Sequence, residues 1–241
     1  MSTLVVSLET VSQGWDNLSV ETRASLTKWM DYKNMSDSEK EKEIENIKSQ
    51  LSLSPFTGEV ISLAVYDLER DLSAVYFYSD NQTENFETNS SSFKSRTEKE
   101  MLEDFWEGVK GYDTFVTFNG RAFTWPYLLH RSAILKIRPT VEIAKERYVT
   151  KQTIPRHVDL LDEFTFYGAM SKRPALSLLC ETYGIEINPE LLGSEESVEL
   201  FQQKKFHRLA ERNELKNFAI RDLYEIWKQY FAPLSFLNTF D

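Results

Sequence analysis

The chain is poor in the residue types that build many catalytic and extracellular scaffolds. One cysteine, Cys180, in 241 residues excludes an internal disulfide and a zinc site made of thiolates. Its apolar setting, PALSLLCETYG, reads as a buried, inert thiol rather than a reactive one. The three histidines, His130, His157 and His207, fall on separate segments, and no pair has the helical spacing of zinc ligands. Eight glycines and seven prolines are scattered, with no phosphate-cradling loop, no G-x-S-x-G elbow and no linker that would split the chain. No run approaches the ~18 apolar residues of a membrane span. The first residues also lack the basic, apolar, small-residue order of a signal peptide, so a cytoplasmic location without membrane contact is expected.

Positive charge is the other scarcity. Lysine and arginine number 28 against 38 aspartates and glutamates, a formal charge of -10 that argues against broad attraction to nucleic acid or an anionic membrane. Basic residues gather only locally, as Arg138, Lys145, Arg147, Lys151, Arg156, Lys172 and Arg173, then Lys204, Lys205 and Arg208. A solvated face explains such clusters as readily as a local nucleic-acid contact does.

What is present is a folded α/β pattern. Hydrophobic residues make up 41% of the chain, and its length suits one sizeable core across residues 1–241. TLVVSLE is a β-branched apolar run fit for a buried central strand. From about residue 14 to 50 the sequence is charged and helix-forming, with Ser36 or Asp37 as a cap and Ile44, Ile47 and Leu51 on one face. This reads as a helical insertion. Of its apolar residues Leu18, Leu26, Trp29, Met30 and Ile47, part of the face, Trp29 included, is expected to meet a partner. EVISLAVYDL and LSAVYFYSD fit a hairpin, and residues 80–95 an exposed loop or hairpin tip. Thr97 with Glu100 forms a capping box ahead of a helix carrying Met101, Leu102, Phe105, Trp106 and Val109. DTFVTFNG predicts another strand, AFTWPYLLHRSAIL a helix with Pro126 in its first turn, and the second half is expected to be mainly helical from HVDLLDEF onward. One mixed sheet flanked by helices is the simplest architecture.

Three segments carry chemistry: SLE at the end of the first strand, FNGRAFTWP at a strand-to-helix junction, and FAIRD in the last long helix. In that order they resemble the three motifs of the DEDD-superfamily 3′-5′ exonucleases, in the branch similar to the proofreading domain of family B DNA polymerases. The resemblance covers nearly the whole chain and implies a ribonuclease H-like fold. It also implies four metal-binding carboxylates and a tyrosine. Laid onto this chain, the first motif's Asp and Glu become Ser7 and Glu9, the second motif's Asp becomes Thr124 after Phe123, and the third motif's Tyr and Asp become Phe218 and Asp222. Glu9 and Asp222 remain as the catalytic and metal-binding remnant. Asn119, Phe123, Lys172 and Arg173 are the implied contacts to nucleic acid, and Asp159 of HVDL is either a support for the site or a helix cap.

Two divalent ions roughly 4 Å apart need surrounding carboxylates to neutralise their repulsion. The first-motif Asp that bridges them in the resembled family would here be the neutral Ser7 hydroxyl, leaving at most weak Mg²⁺ or Mn²⁺ binding at Glu9 and Asp222. Phe218 removes the hydroxyl that would orient water. The expectation is therefore a pseudo-exonuclease, a non-catalytic module in a nucleic-acid-processing or defence assembly, with a protein partner and, alternatively, a single-stranded nucleic-acid end as its ligand. Two alternatives stay open: a metal-dependent nuclease using Glu9, Asp159 and Asp222, and a structural subunit without nucleic-acid contact. The motif assignment requires Ser7, Glu9, Thr124 and Asp222 to converge on one cleft.

Overall fold

The computed structural model describes residues 2–30, 34–81, 84–88, 90–143, 146–187 and 197–237. Lys145 lies outside them. Strand β1 (Thr3–Ser12) is buried on both faces, which its continuous apolar run permits. It pairs antiparallel with β2 (Gly58–Asp67), which turns into β3 (Leu72–Phe77) as the expected hairpin. On its other side β1 pairs in parallel with β6 (Thr114–Thr117), and β6 with β7 (Arg156–Asp159). Among the described residues the sheet has seven strands, with β4 (Phe86–Glu87) and β5 (Ser91–Ser95) beyond β3.

Parts of the sheet depart from the sequence expectation. The stretch read as an exposed loop or hairpin tip forms the antiparallel pair of β4 and β5, and Phe93, Ser91 and Ser95 of β5 are buried rather than exposed. Its side chains are too short and polar to give an alternating signal. HVDLLDEF was expected to be helix throughout, yet its first residues form β7, where Val158 is buried among the strands. Only Leu160–Phe164 is helical, as α5.

Helices cover both faces because alternate residues of β1 point opposite ways. Leu4, Val6 and Leu8 pack with α3 (Glu98–Gly108) and α4 (Trp125–Ile134) in one core. Val5 packs on the opposite side with α5 and the long α8 (Phe206–Tyr230), joined by α6 (Leu176–Thr182) and the short α9 (Leu234–Leu237). The Thr97–Glu100 capping box starts α3 as expected. Arg131 of α4 is buried and bonds both carboxylate oxygens of Glu98 at 2.8 and 2.6 Å, fastening α3 to α4.

The insertion forms α1 (Val20–Leu26) and α2 (Asp37–Gln50), the latter capped by Ser36. Leu18 and Met30 are buried and Leu26 and Ile47 half-buried, while Trp29 is 63% exposed. Among the described residues no helix is long and apolar enough to cross a membrane.

Candidate functional site

The parallel strands β1, β6 and β7 all run toward one end of the sheet, where open α/β sheets place their ligands. Ser7 and Glu9 sit there on the same face of β1 as Val5, and that face is covered by α8. The helix runs antiparallel to the strand. Leu209 packs with Val11, Asn213 bonds Ser7, the Asn217 amide donates to the Val5 carbonyl at 3.4 Å, and Tyr224 reaches Thr3.

This ladder fixes what faces each motif residue. Ser7 is buried, and its hydroxyl donates to Asn213 Oδ1 at 2.8 Å. The Asn213 amide in turn donates to Ser62 Oγ at 3.0 Å on β2. The serine is thus a satisfied core group. Glu9 is half-buried, and Lys216 Nζ stands 2.5 Å from its Oε1 and 2.5 Å from the Leu8 carbonyl. Its second oxygen accepts from the Ser197 hydroxyl at the start of α7 (Ser197–Gln202). Both carboxylate oxygens are engaged.

Asp222 lies on α8 one turn beyond Ala219, which lines the cleft beside Glu9. Its carboxylate pairs with Arg221 Nε at 2.7 Å. It also lies close enough to the Cys180 thiol to help burial, the larger cause, push that group up to about 11. Phe218 packs edge-on to Tyr66 with ring centroids 5.7 Å apart, and the Arg221 guanidinium lies over both rings. Tyr66 pairs with Val5 in the sheet, not with Glu9. Among the described residues no hydrogen bond or ion pair joins Asp222 to Glu9; the helix residues that bond the first motif are Asn213 and Lys216.

The second motif is where the sequence places it. After β6, Asn119 adopts a left-handed backbone (φ 60°), and Gly120–Thr124 form a π-helical turn leading into α4. Gly120 is required because a Cβ there would fall 1.9 Å from Thr117 Oγ1. Thr124 is buried in this turn, Phe123 packs against Tyr127, and Asn119 Oδ1 accepts from Arg173 at 2.8 Å. Lys172 beside it is exposed.

Asp159, at the end of β7, serves in both of its expected ways. Its Oδ1 accepts from the N–H of Asn119 at 2.9 Å and of Leu161 at 3.1 Å, capping α5, while Oδ2 accepts from the N–H of Arg121 at 2.8 Å. Burial pushes its carboxyl up, and these donors pull the other way. With all three bonds directed at backbone, Asp159 acts as a clamp on the turn. Asp162 is paired with Arg147 and Arg121. His157, in β7, bonds Thr117 Oγ1 at 2.7 Å through Nε2; burial, then the Arg121 charge, hold it down at about 3.

A cleft of about 200 Å³ opens beside Glu9, lined by Leu176, Ser177, Ile187, Arg212, Lys216 and Ala219. A larger groove, about 390 Å³ and carrying Asp67, Arg70 and Ser73, holds none of the motif residues. Divalent ions do not fit the residues at the cleft. Ser7 and Thr124 bring no charge, Glu9 is already neutralised by an ammonium, and among the described residues no three His, Cys, Asp or Glu side chains group as a metal site.

A seven-stranded mixed sheet with helices on both faces and a strand-turn-helix second motif defines a ribonuclease H-like, exonuclease-type domain. A family model described as a predicted 3′-5′ exonuclease related to the exonuclease domain of PolB matches residues 66–227, and the chain belongs to that family. The matched span holds the Asn119–Thr124 turn and most of α8 but begins after β1, so Ser7 and Glu9 lie outside it. Among solved structures, the family B DNA polymerase from the hyperthermophilic archaeon Pyrobaculum calidifontis is similar over 92% of this chain, at 16% identity and a TM-score of 0.52. The chain spans 24% of that polymerase, and at this identity the likeness concerns the fold. No curated protein matches the chain.

Proposed function

We propose that the chain is a pseudo-exonuclease, a module that keeps the proofreading-domain scaffold and binds without hydrolysing. The observation that carries this reading is the Ser7–Asn213 hydrogen bond. At the position where the resembled family needs a bridging carboxylate, a neutral hydroxyl is buried and committed to a neutral amide. A water or an ion would have to break that bond to use it, and would gain one weak ligand without charge. Hydrolysis of a phosphodiester by this family's chemistry asks for the opposite, concentrated negative charge that assembles metal ions and orients water.

Binding is the function left to the scaffold. The net charge of -10 favours a protein partner over an extended nucleic-acid track, and the exposed Trp29 on the insertion offers a contact that folding leaves unused. A single-stranded end is the second ligand to test. Asn119 and Phe123 belong to the second-motif turn, with Arg173 bonded to Asn119 and Lys172 beside it, one of the places where basic residues gather. The setting we infer is a cytoplasmic assembly that processes nucleic acid or defends against it. Fluorescence anisotropy with labelled single-stranded DNA and RNA, measured across salt and with and without Mn²⁺, tests the reading alongside assays for released nucleotides. Binding without release supports it, and metal-dependent release overturns it.

A further inference from the structure

The one carboxylate left in the first motif is already occupied by a cation of the chain's own. Lys216 Nζ lies 2.5 Å from Glu9 Oε1 and 2.5 Å from the carbonyl oxygen of Leu8, two oxygens converging on one positive centre as they would on a metal ion. The lysine is anchored on α8 by the ladder that places Asn213 at Ser7 and Asn217 at Val5. Its side chain and that of Glu9 are 26% and 14% exposed, so the pair is largely withdrawn from water.

We propose that Lys216 is the resident cation of this cleft, a tethered ammonium that takes the place of a divalent ion and makes the site metal-independent. The inference rests on the reading of Glu9 as the remnant of an exonuclease centre. Charge balance favours it. With Ser7 and Thr124 neutral, a single carboxylate remains, and one monovalent cation neutralises it where a divalent ion would leave excess positive charge in a half-buried site. Tethering adds to the advantage, because an ammonium fixed on a packed helix competes at a high effective concentration, while Mn²⁺ or Mg²⁺ must lose hydration to enter. The remaining oxygen of Glu9 is held by the Ser197 hydroxyl, so an entering ion would have no free carboxylate oxygen to begin from. Arg212 lines the same cleft and adds positive charge, which further disfavours a metal ion.

The experiment titrates MnCl₂ into the whole chain without nucleic acid and follows the electron paramagnetic resonance signal of free Mn²⁺. Wild type, Lys216→Asp, Lys216→Gln and Glu9→Gln are compared, and circular dichroism establishes that each is folded. Lys216→Asp removes the ammonium and adds a carboxylate at the same helix position, so it is expected to take up about one Mn²⁺ with at least tenfold higher affinity than wild type. Lys216→Gln removes the competitor alone and is expected to fall between them. At ten times its dissociation constant, Mn²⁺ is expected to raise the melting temperature of Lys216→Asp by about 3–5 °C and that of wild type by less than ~1 °C.

Equal Mn²⁺ affinity in wild type and Lys216→Asp overturns the inference, as does a wild-type site that Glu9→Gln abolishes. Should Lys216→Asp fail to fold, Lys216→Gln decides: affinity raised above wild type supports the tethered cation, and affinity unchanged overturns it. The two readings fail separately. Metal-free cleavage by wild type would remove the non-hydrolytic function and leave the resident cation in place, whereas Mn²⁺ binding at Glu9 without cleavage would do the reverse.

Discussion

Lys216 and Glu9 lie 207 positions apart in sequence and meet with nitrogen and oxygen 2.5 Å apart. The contact joins the long helix to the end of the central strand and neutralises the carboxylate of the first motif. Removing either partner strands the other in a largely dry site. Lys216→Met and Glu9→Gln are each expected to lower stability by about 1–3 kcal/mol, and the double variant by clearly less than their sum. Chemical denaturation of all four proteins measures the coupling. Strict additivity would mean that the two side chains are not energetically paired.

Asn213 links Ser7 to Ser62 from the middle of α8 and is fully buried. Asn213→Ala removes the amide that both hydroxyls bond, leaving Ser7 only its longer 3.3 Å bond to the Asn213 carbonyl, and is expected to cost about 2–4 kcal/mol. Restoring the family residue by Ser7→Asp is expected to destabilise by a similar ~2–4 kcal/mol, because it buries a carboxylate against an amide. That variant should gain no metal response while Lys216 is present. Urea midpoints with and without Mn²⁺ check both expectations.

Asp159 holds the second-motif turn through backbone bonds to Asn119 and Arg121 while capping α5 at Leu161. Replacing one oxygen by an amide turns an N–H donor toward another donor. Asp159→Asn is therefore expected to lose about 1–3 kcal/mol. Its local signature is faster hydrogen exchange at the amides of residues 119–121, with the amides of β2 unchanged.

His157 is buried neutral, and its folded-state value of about 3 lies below the ordinary 6.5. In this window the unfolded chain binds the extra proton, so the stability contributed by His157 is complete above pH 6.5 and is lost as pH falls toward 3. The slope approaches about 1.4 kcal/mol per pH unit well inside the window. His157→Gln is expected to remove this component. The difference between the two proteins across pH 7 to 4 isolates the histidine from the carboxylates they share, and parallel curves would exclude it as the source.

Much of the fold could be read before the structure was seen, for reasons that are local. β1 announces itself as an unbroken apolar run, Thr97 and Glu100 mark where α3 begins, and FNG marks the turn that Gly120 and the left-handed Asn119 then form. β5 was hidden because its short polar residues give no apolar alternation, and β7 because an edge strand needs few apolar residues. The places of Ser7 and Glu9 on β1 and of Thr124 in its turn were legible, because a strand or a turn positions them over short range. The site was not legible on α8, because which of 25 helical residues faces Glu9 is set by how the whole helix docks. One signal was available. Counting back from Trp227 through Tyr224 and Ile220 at helical spacing, the buried stripe continues into Asn217 and Asn213, and two asparagines inside an apolar stripe mark a polar contact across the interface. Asp222 falls outside that stripe, and Lys216 is the α8 residue that bonds Glu9.

The most direct measurement is release of labelled nucleotides from the 3′ end of single-stranded DNA and RNA by the purified wild-type chain in Mn²⁺ or Mg²⁺, with Glu9→Gln alongside. A centre whose remaining carboxylate is neutralised by Lys216 and whose Ser7 is bound to Asn213 should release nothing above the rate of the variant. Metal-dependent release that EDTA stops and Glu9→Gln abolishes would contradict it.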